Sequence, residues 1–223
     1  MTGRFLRVRK GIAAPTCLAL SLALAGCHSG GELVVEDGVG ISAVRSPCPA
    51  VGIPDYTGDI TLFTDPDLRD SRSVDVVAAL TGVRSTCDSR SAKVNSGVTF
   101  KVQARRTDAR GERDVVLPYF VTIVRGGTAV VAKRVGTVTV HFADGQARAE
   151  AVAHGGALVD RAEATLERSV HDRITRKRHA GEADAAVDPL ADPEVREAVN
   201  RASFELLVGF QLDEAQLAYN ATR

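Results

Sequence analysis

The side chains that could carry out chemistry in this sequence are few, and they do not fall into a known catalytic pattern. The G-x-S-x-G, H-E-x-x-H and phosphate-loop motifs are absent. His171-Asp172 could supply half of an acid–base pair, but neighbouring residues on a helix point about 100° apart. His141 is expected on the outward face of a strand, with no second histidine or carboxylate at ligand spacing on that face. The sequence therefore predicts no catalytic residue, no metal site and no cofactor.

The first 26 residues have the order of charge and hydropathy that is typical of a signal peptide. They contain four basic residues and no acidic one, and the apolar run Gly11–Ala25 follows the basic start. A helix that spans a bilayer needs roughly 20 apolar residues, so this run of about 15 is short for a membrane anchor. Residues 1–26 are therefore predicted to be removed.

A reactive thiol lies immediately after this segment. Leu24-Ala25-Gly26-Cys27 resembles the bacterial lipobox, in which the cysteine receives diacylglycerol before the leader is cleaved at its N-side. The resemblance implies a mature chain that begins at lipidated Cys27 and is held by two or three acyl chains such as palmitate, each CH₂ contributing about 0.8 kcal/mol. His28, in place of an aspartate, implies delivery to the periplasmic face of the outer membrane. An ordinary secreted protein is the alternative.

Two thiols, Cys48 and Cys87, remain once Cys17 has left with the leader and Cys27 has been lipidated. An oxidising periplasm favours a disulfide between them. The bridge closes a loop of 40 residues, which stabilises the fold by roughly 4 kcal/mol in the chain-entropy model. A metal pair or two buried thiols are the alternatives, and a metal pair would need histidine or acidic partners at short spacing.

Charge excludes a general affinity for nucleic acid. After loss of the leader, 24 basic residues face 28 acidic ones, a net charge of −4. One dense basic run, Arg173 to His179, could dock on lipopolysaccharide phosphates, anionic lipid or acidic peptidoglycan groups. The interpretation favoured here is a helix end whose cations complement the carbonyl dipole.

The elements that must position these residues begin near Pro47, after a tether over residues 27–46. The period is two from there to about residue 153, with clear alternation in Val98–Ala104 and Thr137–Phe142. Gly126-Gly127 and Asp144-Gly145 are turn signals. Pro118 lies within an otherwise continuous strand pattern, which requires a bulge or an edge position. The other predicted strands are Asp59–Thr64, Val74–Leu80 continuing toward Cys87, Val115–Arg125, Thr128–Arg134 and Ala147–Ala153.

A helical pattern replaces the strand pattern at about residues 156–202. One apolar stripe begins at Val159 and ends at Ile174, and Asp192-Pro193 marks the cap and first residue of a second helix. The period then returns to two in Phe204–Leu212, which predicts a closing strand, and Asp213 with Gln216 forms a capping box for a terminal helix.

These elements together predict a mainly β protein with one domain over residues 47–223. Its architecture is an antiparallel immunoglobulin-like or fibronectin-like sandwich of about eight strands, with a helical insertion before the last strand. The single expected disulfide and the absence of tryptophan argue against a true antibody-type domain.

Several segments together are similar to an uncharacterised family of Gram-negative envelope lipoproteins. The resemblance covers most of Pro47–Ala153 and Phe204–Asn220, and it implies one compact exported domain without implying any activity or catalytic residue. The segments that carry it are the lipobox, Cys48-Pro49, Thr81–Cys87, Leu117–Val121, Gly209–Leu212 and Tyr219-Asn220.

Two classes of function fit the sequence. The first is a non-catalytic adaptor or structural lipoprotein, bound to the membrane through its N-terminal lipid and presenting a sandwich face or the helical insertion to an envelope protein. The second is a periplasmic protein that binds or hydrolyses a small molecule or glycan at a site assembled from loop residues. An exposed apolar patch favours the first class, and a deep pocket with converging polar groups favours the second.

Overall fold

The structure is a computed structural model and describes residues 46–65, 67–176, 181–183 and 187–222. The predicted signal peptide, Cys27 and all but the last residue of the predicted tether lie outside the described residues. So do positions 177–179 of the basic run.

Within the described ranges, eight strands form two four-stranded sheets. Sheet A has the order β1-β8-β5-β6 and sheet B the order β2-β3-β4-β7; all neighbours are antiparallel except β1, which is parallel to β8. The predicted antiparallel sandwich is therefore confirmed. The strands are β1 (Ala50–Gly52), β2 (Asp59–Phe63), β3 (Val74–Asp88), β4 (Lys93–Arg106), β5 (Arg113–Arg125), β6 (Ala129–Phe142), β7 (Arg148–Asp160) and β8 (Phe204–Phe210).

The core lies between the two sheets and follows from the alternation of apolar residues. In β4, Val94, Val98, Phe100 and Val102 are buried while the residues between them face outward or are polar. The predicted closing strand is confirmed as β8, which pairs with β5 on one side and β1 on the other. The largest side chains with no more than 1% exposure are Phe100, Phe142, Phe210, Ile60, Leu117 and Leu206.

The helical insertion lies before β8 as predicted, but it begins later than residue 156. Val159 is in β7, where it pairs with Val94 of β4, and helix α1 runs from Arg168 to Thr175. The predicted helical stripe is wrong at its start because small residues occupy the inner face of β7, which weakens the alternation expected of a strand. A short 3₁₀ turn (Pro189–Ala191) then leads to helix α2 (Pro193–Ala202).

Helix α2 starts as the sequence predicts. The Asp192 side chain accepts a hydrogen bond from the Glu194 backbone N–H, and Pro193 is the first helical residue. The insertion has its own small core, because Ile174, Val195 and Val199 are buried together. It therefore packs as a unit beside the sandwich.

The predicted capping box is also confirmed in helix α3 (Glu214–Thr222). The Asp213 carboxylate accepts from the Gln216 N–H at 2.7 Å, and the Gln216 side chain accepts from the Asp213 N–H at 3.0 Å. Buried Asn220 donates from its amide to the carbonyl oxygens of Tyr56 and Asp59. The terminal helix is thus hydrogen-bonded to the chain that enters β2.

Pro118 lies in a central strand, since β5 is flanked by β6 and β8. Its carbonyl oxygen accepts from the Gln211 N–H, just beyond the last residue of β8. The proline nitrogen faces the same side, opposite Gln211 at the end of β8, so the proline removes at most the last hydrogen bond of that ladder. The position is neither a bulge nor a sheet edge.

Strand β6 is one strand where the sequence predicted two separate runs. Its register with β5 shifts between Ile123, which pairs with Ala132, and Val124, which pairs with Val130. Val131 is therefore the additional residue of a β-bulge on the edge strand. The Gly126-Gly127 turn that precedes β6 has positive φ at both glycines, as predicted.

Candidate interface at the seam between the two sheets

Strands β6 and β7 are edge strands of different sheets, and they run along the same side of the sandwich. No backbone ladder joins them in the described chain, although the Asp144-Gly145 turn connects them. We call the space between these two edges the seam. It has a closed half near that turn and an open half at its other end.

The closed half is filled by side chains from both sheets. Val138, Val140 and Phe142 of β6 all point into the core, and Phe142 has no exposed surface. The buried guanidinium of Arg106 stacks over the Phe142 ring, with 5.2 Å between its central carbon and the ring centroid. It also donates to the carbonyl oxygens of Gln146, Ala109 and Ala143, so its hydrogen bonds tie together two loops at this end.

Tyr119 marks the boundary between the two halves. Its hydroxyl donates to the His154 carbonyl oxygen on the free edge of β7 at 2.9 Å. The ring passes so close to Gly136 of β6 that a Cβ there would lie 2.9 Å from it. Gly155 of β7 packs directly against Val121, where a Cβ would overlap the valine methyl groups. The two glycines allow the sheets to approach each other at this point.

Beyond Tyr119 the edges diverge and leave a cleft of about 800 Å³. The first half of β6 forms one wall, the last third of β7 forms the other, and inner residues of β4 and β5 form the floor. The residues that define it include Ser96, Gly97, Val121, Ile123, Val131, Ala132, Lys133, Arg134, Gly155, Ala157, Leu158 and Phe204.

The rim of the cleft is aliphatic. Val130, Val131 and Val135 on β6 and Leu158 on β7 are each more than half exposed, at 65, 51, 59 and 65%. Val131 and Leu158 line the opening, whereas Val130 and Val135 lie opposite Val124 and Phe120 and therefore project from the other face of the β6 edge. The β6 edge beside them carries unpaired backbone groups, since only β5 pairs with it.

The carboxylates of the cleft are paired and two of its cations are not. Glu163 accepts from Arg125, and Asp160 accepts from Lys93 at 2.9 Å. Lys133 and Arg134 on β6 have no carboxylate within ion-pair distance among the described residues. Because Arg134 pairs in register with the inward-facing Val121, its side chain leaves sheet A on the side of the cleft.

The outer face of sheet B differs from this cleft because opposite charges face each other across its strands. Lys101 of β4 donates to Glu150 of β7 at 2.9 Å, and this hydrogen bond lowers the pKa of the Glu150 carboxyl. Thr99 lies opposite His154, with 3.0 Å between the hydroxyl and Nδ1. These contacts pair several polar groups of this face with one another.

The predicted disulfide joins Cys48 and Cys87, with 6.0 Å between their Cα atoms. It connects the segment before β1 in sheet A to the end of β3 in sheet B. The Ser96 hydroxyl lies 3.8 Å from the Cys87 sulfur. Because Ser96 also lines the cleft, the disulfide places the N-terminal end of the described chain beside the open half of the seam.

The expectation that His141 lacks a neighbouring carboxylate is wrong. Asp114 lies directly opposite it on β5, with 2.8 Å between Nδ1 and Oδ1, and a Glu112 carboxylate oxygen is 3.8 Å from Nε2. The register of β5 against β6, which a single sequence does not reveal, creates this pairing. In the described part of the chain, no group of three or more histidine, cysteine or acidic side chains is arranged to hold a metal ion.

The other predicted candidates are surface features. His171 and Asp172 are 3.5 Å apart on α1, where His171 is half-buried and Asp172 is exposed. Of the basic run, Arg173 binds Asp192 at the start of α2, and Arg176 lies 3.4 Å from Glu182. These two arginines hold the insertion together, which fits the structural interpretation of the run.

None of the helices in the described ranges is long and apolar enough to cross a membrane. Comparison of the chain with protein-family models, with curated proteins and with solved structures gives no match.

Proposed function

We propose that the protein is a lipoprotein of the Gram-negative cell envelope, anchored at Cys27 on the periplasmic face of the outer membrane. In this proposal it acts as a non-catalytic adaptor or structural protein that binds another envelope protein. The leader, the lipobox and the similarity to envelope lipoproteins support the anchor. The Cys48–Cys87 disulfide supports export, because disulfides persist in oxidising compartments.

The observation that carries the adaptor role is the aliphatic rim of the cleft. A soluble monomer rarely leaves several large aliphatic side chains together beside an unpaired strand edge. The ion pairs of the cleft also argue against a hydrolytic site. Its two carboxylates, Asp160 and Glu163, are bound to Lys93 and Arg125 and are therefore not free to act on a ligand. We therefore favour a surface for protein recognition over a hydrolytic or glycan-binding site.

Two changes test the two parts of this proposal. Cys27→Ser should abolish labelling with a palmitate analogue and release the protein from the membrane fraction, while Cys17→Ser should leave both unchanged. Leu158→Asp should leave lipidation intact and abolish chemical cross-links to envelope proteins in living cells. A Cys27→Ser protein that remains processed and membrane-bound contradicts the anchor, and unchanged cross-links in Leu158→Asp contradict the adaptor role.

A further inference from the structure

We infer that the open half of the seam binds an extended, acidic segment of a partner protein, which adds a strand to the free edge of β6. This inference rests on the proposed adaptor function and specifies the chemistry of its partner. Four features of the described residues support it: an unpaired edge, an apolar rim, unpaired cations and space between the sheets.

The unpaired edge supplies the backbone groups for strand addition. Residues 129–134 of β6 hydrogen-bond to β5 on one side, and on the other side they face the cleft with no backbone partner in the described chain. An extended peptide that pairs with such an edge gains one ladder of main-chain hydrogen bonds. Six residues of edge match the length of an ordinary strand.

The space beside this edge is sufficient for an added strand and its side chains. Neighbouring strands lie about 4.8 Å apart, and the opening between β6 and β7 has a volume of about 800 Å³. Its floor at Val121 and Ile123 is apolar. Above that floor Arg134 projects on the cleft side, while Val130 and Val135 are exposed on the other face of β6, so an added strand should alternate acidic side chains on the cleft side with aliphatic ones on the other.

The cations of β6 favour acidic side chains in the partner strand. Lys133 and Arg134 lie on opposite faces of β6, and neither has a carboxylate partner among the described residues. Lys133 instead lies over the Phe120 ring, 4.7 Å from its centroid. A partner strand with glutamate or aspartate on the cleft side gains a cross-strand ion pair with Arg134, whereas a basic strand meets like charge.

The same cations disfavour a second copy of this chain as the occupant. Self-pairing of two β6 edges would bring four cations into one short ladder, and edge lysine and arginine residues are a known protection against such pairing. The bulge at Val131 adds to this protection by twisting the edge. An acidic partner strand experiences no such repulsion.

The test uses the full-length protein purified in detergent and two fluorescein-labelled peptides, one with four Val-Glu repeats and one with four Val-Lys repeats. The Val-Glu peptide should bind, measured by fluorescence anisotropy, and the Val-Lys peptide should not. Arg134→Glu should weaken the Val-Glu peptide about ten-fold and allow the Val-Lys peptide to bind. Arg105→Glu, on the outer face of β4, should leave both affinities unchanged.

Hydrogen exchange of the same samples separates strand addition from simple charge attraction. Bound Val-Glu peptide should slow exchange of the amides in residues 129–135, because free-edge N–H groups become hydrogen-bonded. No binding of the Val-Glu peptide, equal effects of Arg134→Glu and Arg105→Glu, or protection elsewhere would overturn the inference. So would a dimer in light scattering that Arg134→Glu dissociates, because a second copy would then occupy the edge.

Failure of this inference is distinguishable from failure of the proposed function. If the peptides do not bind but Leu158→Asp still abolishes the cellular cross-links, the adaptor role stands and its partner is not an acidic strand. If the cross-links are insensitive to Leu158→Asp, the adaptor role itself fails.

Discussion

The closed and open halves of the seam are built from the same two strands, yet they have opposite surfaces. In the closed half, inward side chains of β6 are large and buried, and Arg106 seals the end with three hydrogen bonds to carbonyl oxygens. In the open half, valines on both faces of β6 are exposed. The inward-facing position opposite Val121 holds Arg134 and not an apolar residue. A sandwich can therefore complete its core at one end and keep an unpaired, exposed strand edge at the other.

Tyr119 and Gly155 separate these halves. The tyrosine hydroxyl donates a hydrogen bond to the His154 carbonyl oxygen on the edge of β7. Gly155 has no side chain, so β7 packs closely against Val121. The division is thus made by two local contacts at the middle of the seam. Changes on either side of it should have very different effects on stability.

The largest effect is expected from removal of β8, which supports both halves. A chain that ends at Ala202 lacks four buried side chains of the core and leaves the edge of β5 unpaired. It should be unfolded or aggregated by circular dichroism. A chain that ends at Leu212, which lacks only α3, is the control and should keep a cooperative thermal transition. A cooperative transition in the shorter chain would contradict the role assigned to β8.

The next largest effect is expected when a side chain of the closed half is shortened to alanine, compared with the same change in the open half. Phe142→Ala removes a fully buried ring from the closed half and should lower the free energy of unfolding by about 3–5 kcal/mol. Val135→Ala in the open half should change it by less than about 0.5 kcal/mol. Urea denaturation measures both. Similar losses for the two variants would show that the open half is also part of the packed core.

A smaller effect is expected at the boundary itself. Gly155→Ala places a methyl group against the Val121 side chain and should lower the free energy of unfolding by about 1–3 kcal/mol, the usual cost of overpacking. Gly52→Ala in β1 is the control, because its Cβ would lie at an ordinary 3.5 Å from Leu207. If Gly155→Ala is as stable as the control, the sheets do not meet closely at the middle of the seam.

The smallest effect concerns one hydrogen bond. Tyr119→Phe removes the bond to the His154 carbonyl and should lower the free energy of unfolding by about 0.5–1.5 kcal/mol. Tyr56→Phe, at an exposed ring, should leave the value unchanged. A neutral Tyr119→Phe variant would mean that this hydroxyl does not hold the two edges together.

Much of the sandwich could be predicted because its strands have one buried and one polar face. β4 follows this pattern along most of its length, and β8 has a large apolar residue at every second position. The turn at Gly126 and the caps at Asp192 and Asp213 depend on the conformational freedom of glycine and on hydrogen bonds of nearby residues. The pairing of Cys48 with Cys87 follows from the number of thiols and from the oxidising compartment that the leader predicts. None of these required knowledge of distant contacts.

The seam could not be predicted because it depends on relations between strands. The inner face of β7 is made of small residues fitted to β5, so its sequence lacks large alternating side chains and was assigned in part to a helix. β6 was divided into two runs because its first half is exposed on both faces. His141 lies opposite Asp114, and Arg134 lies opposite Val121, because of the register between β5 and β6. A single sequence does not reveal that register.

The Cys48–Cys87 disulfide also determines how mechanical force enters the domain. A pull on the chain before Cys48 reaches that residue before it reaches β1, which within the described residues is held by three residues of parallel pairing with β8. The disulfide transmits the pull covalently to the end of β3, an interior strand of sheet B between β2 and β4. Tension on the N-terminal side is therefore borne by the long β3–β4 ladder, and β1 is protected from being peeled away.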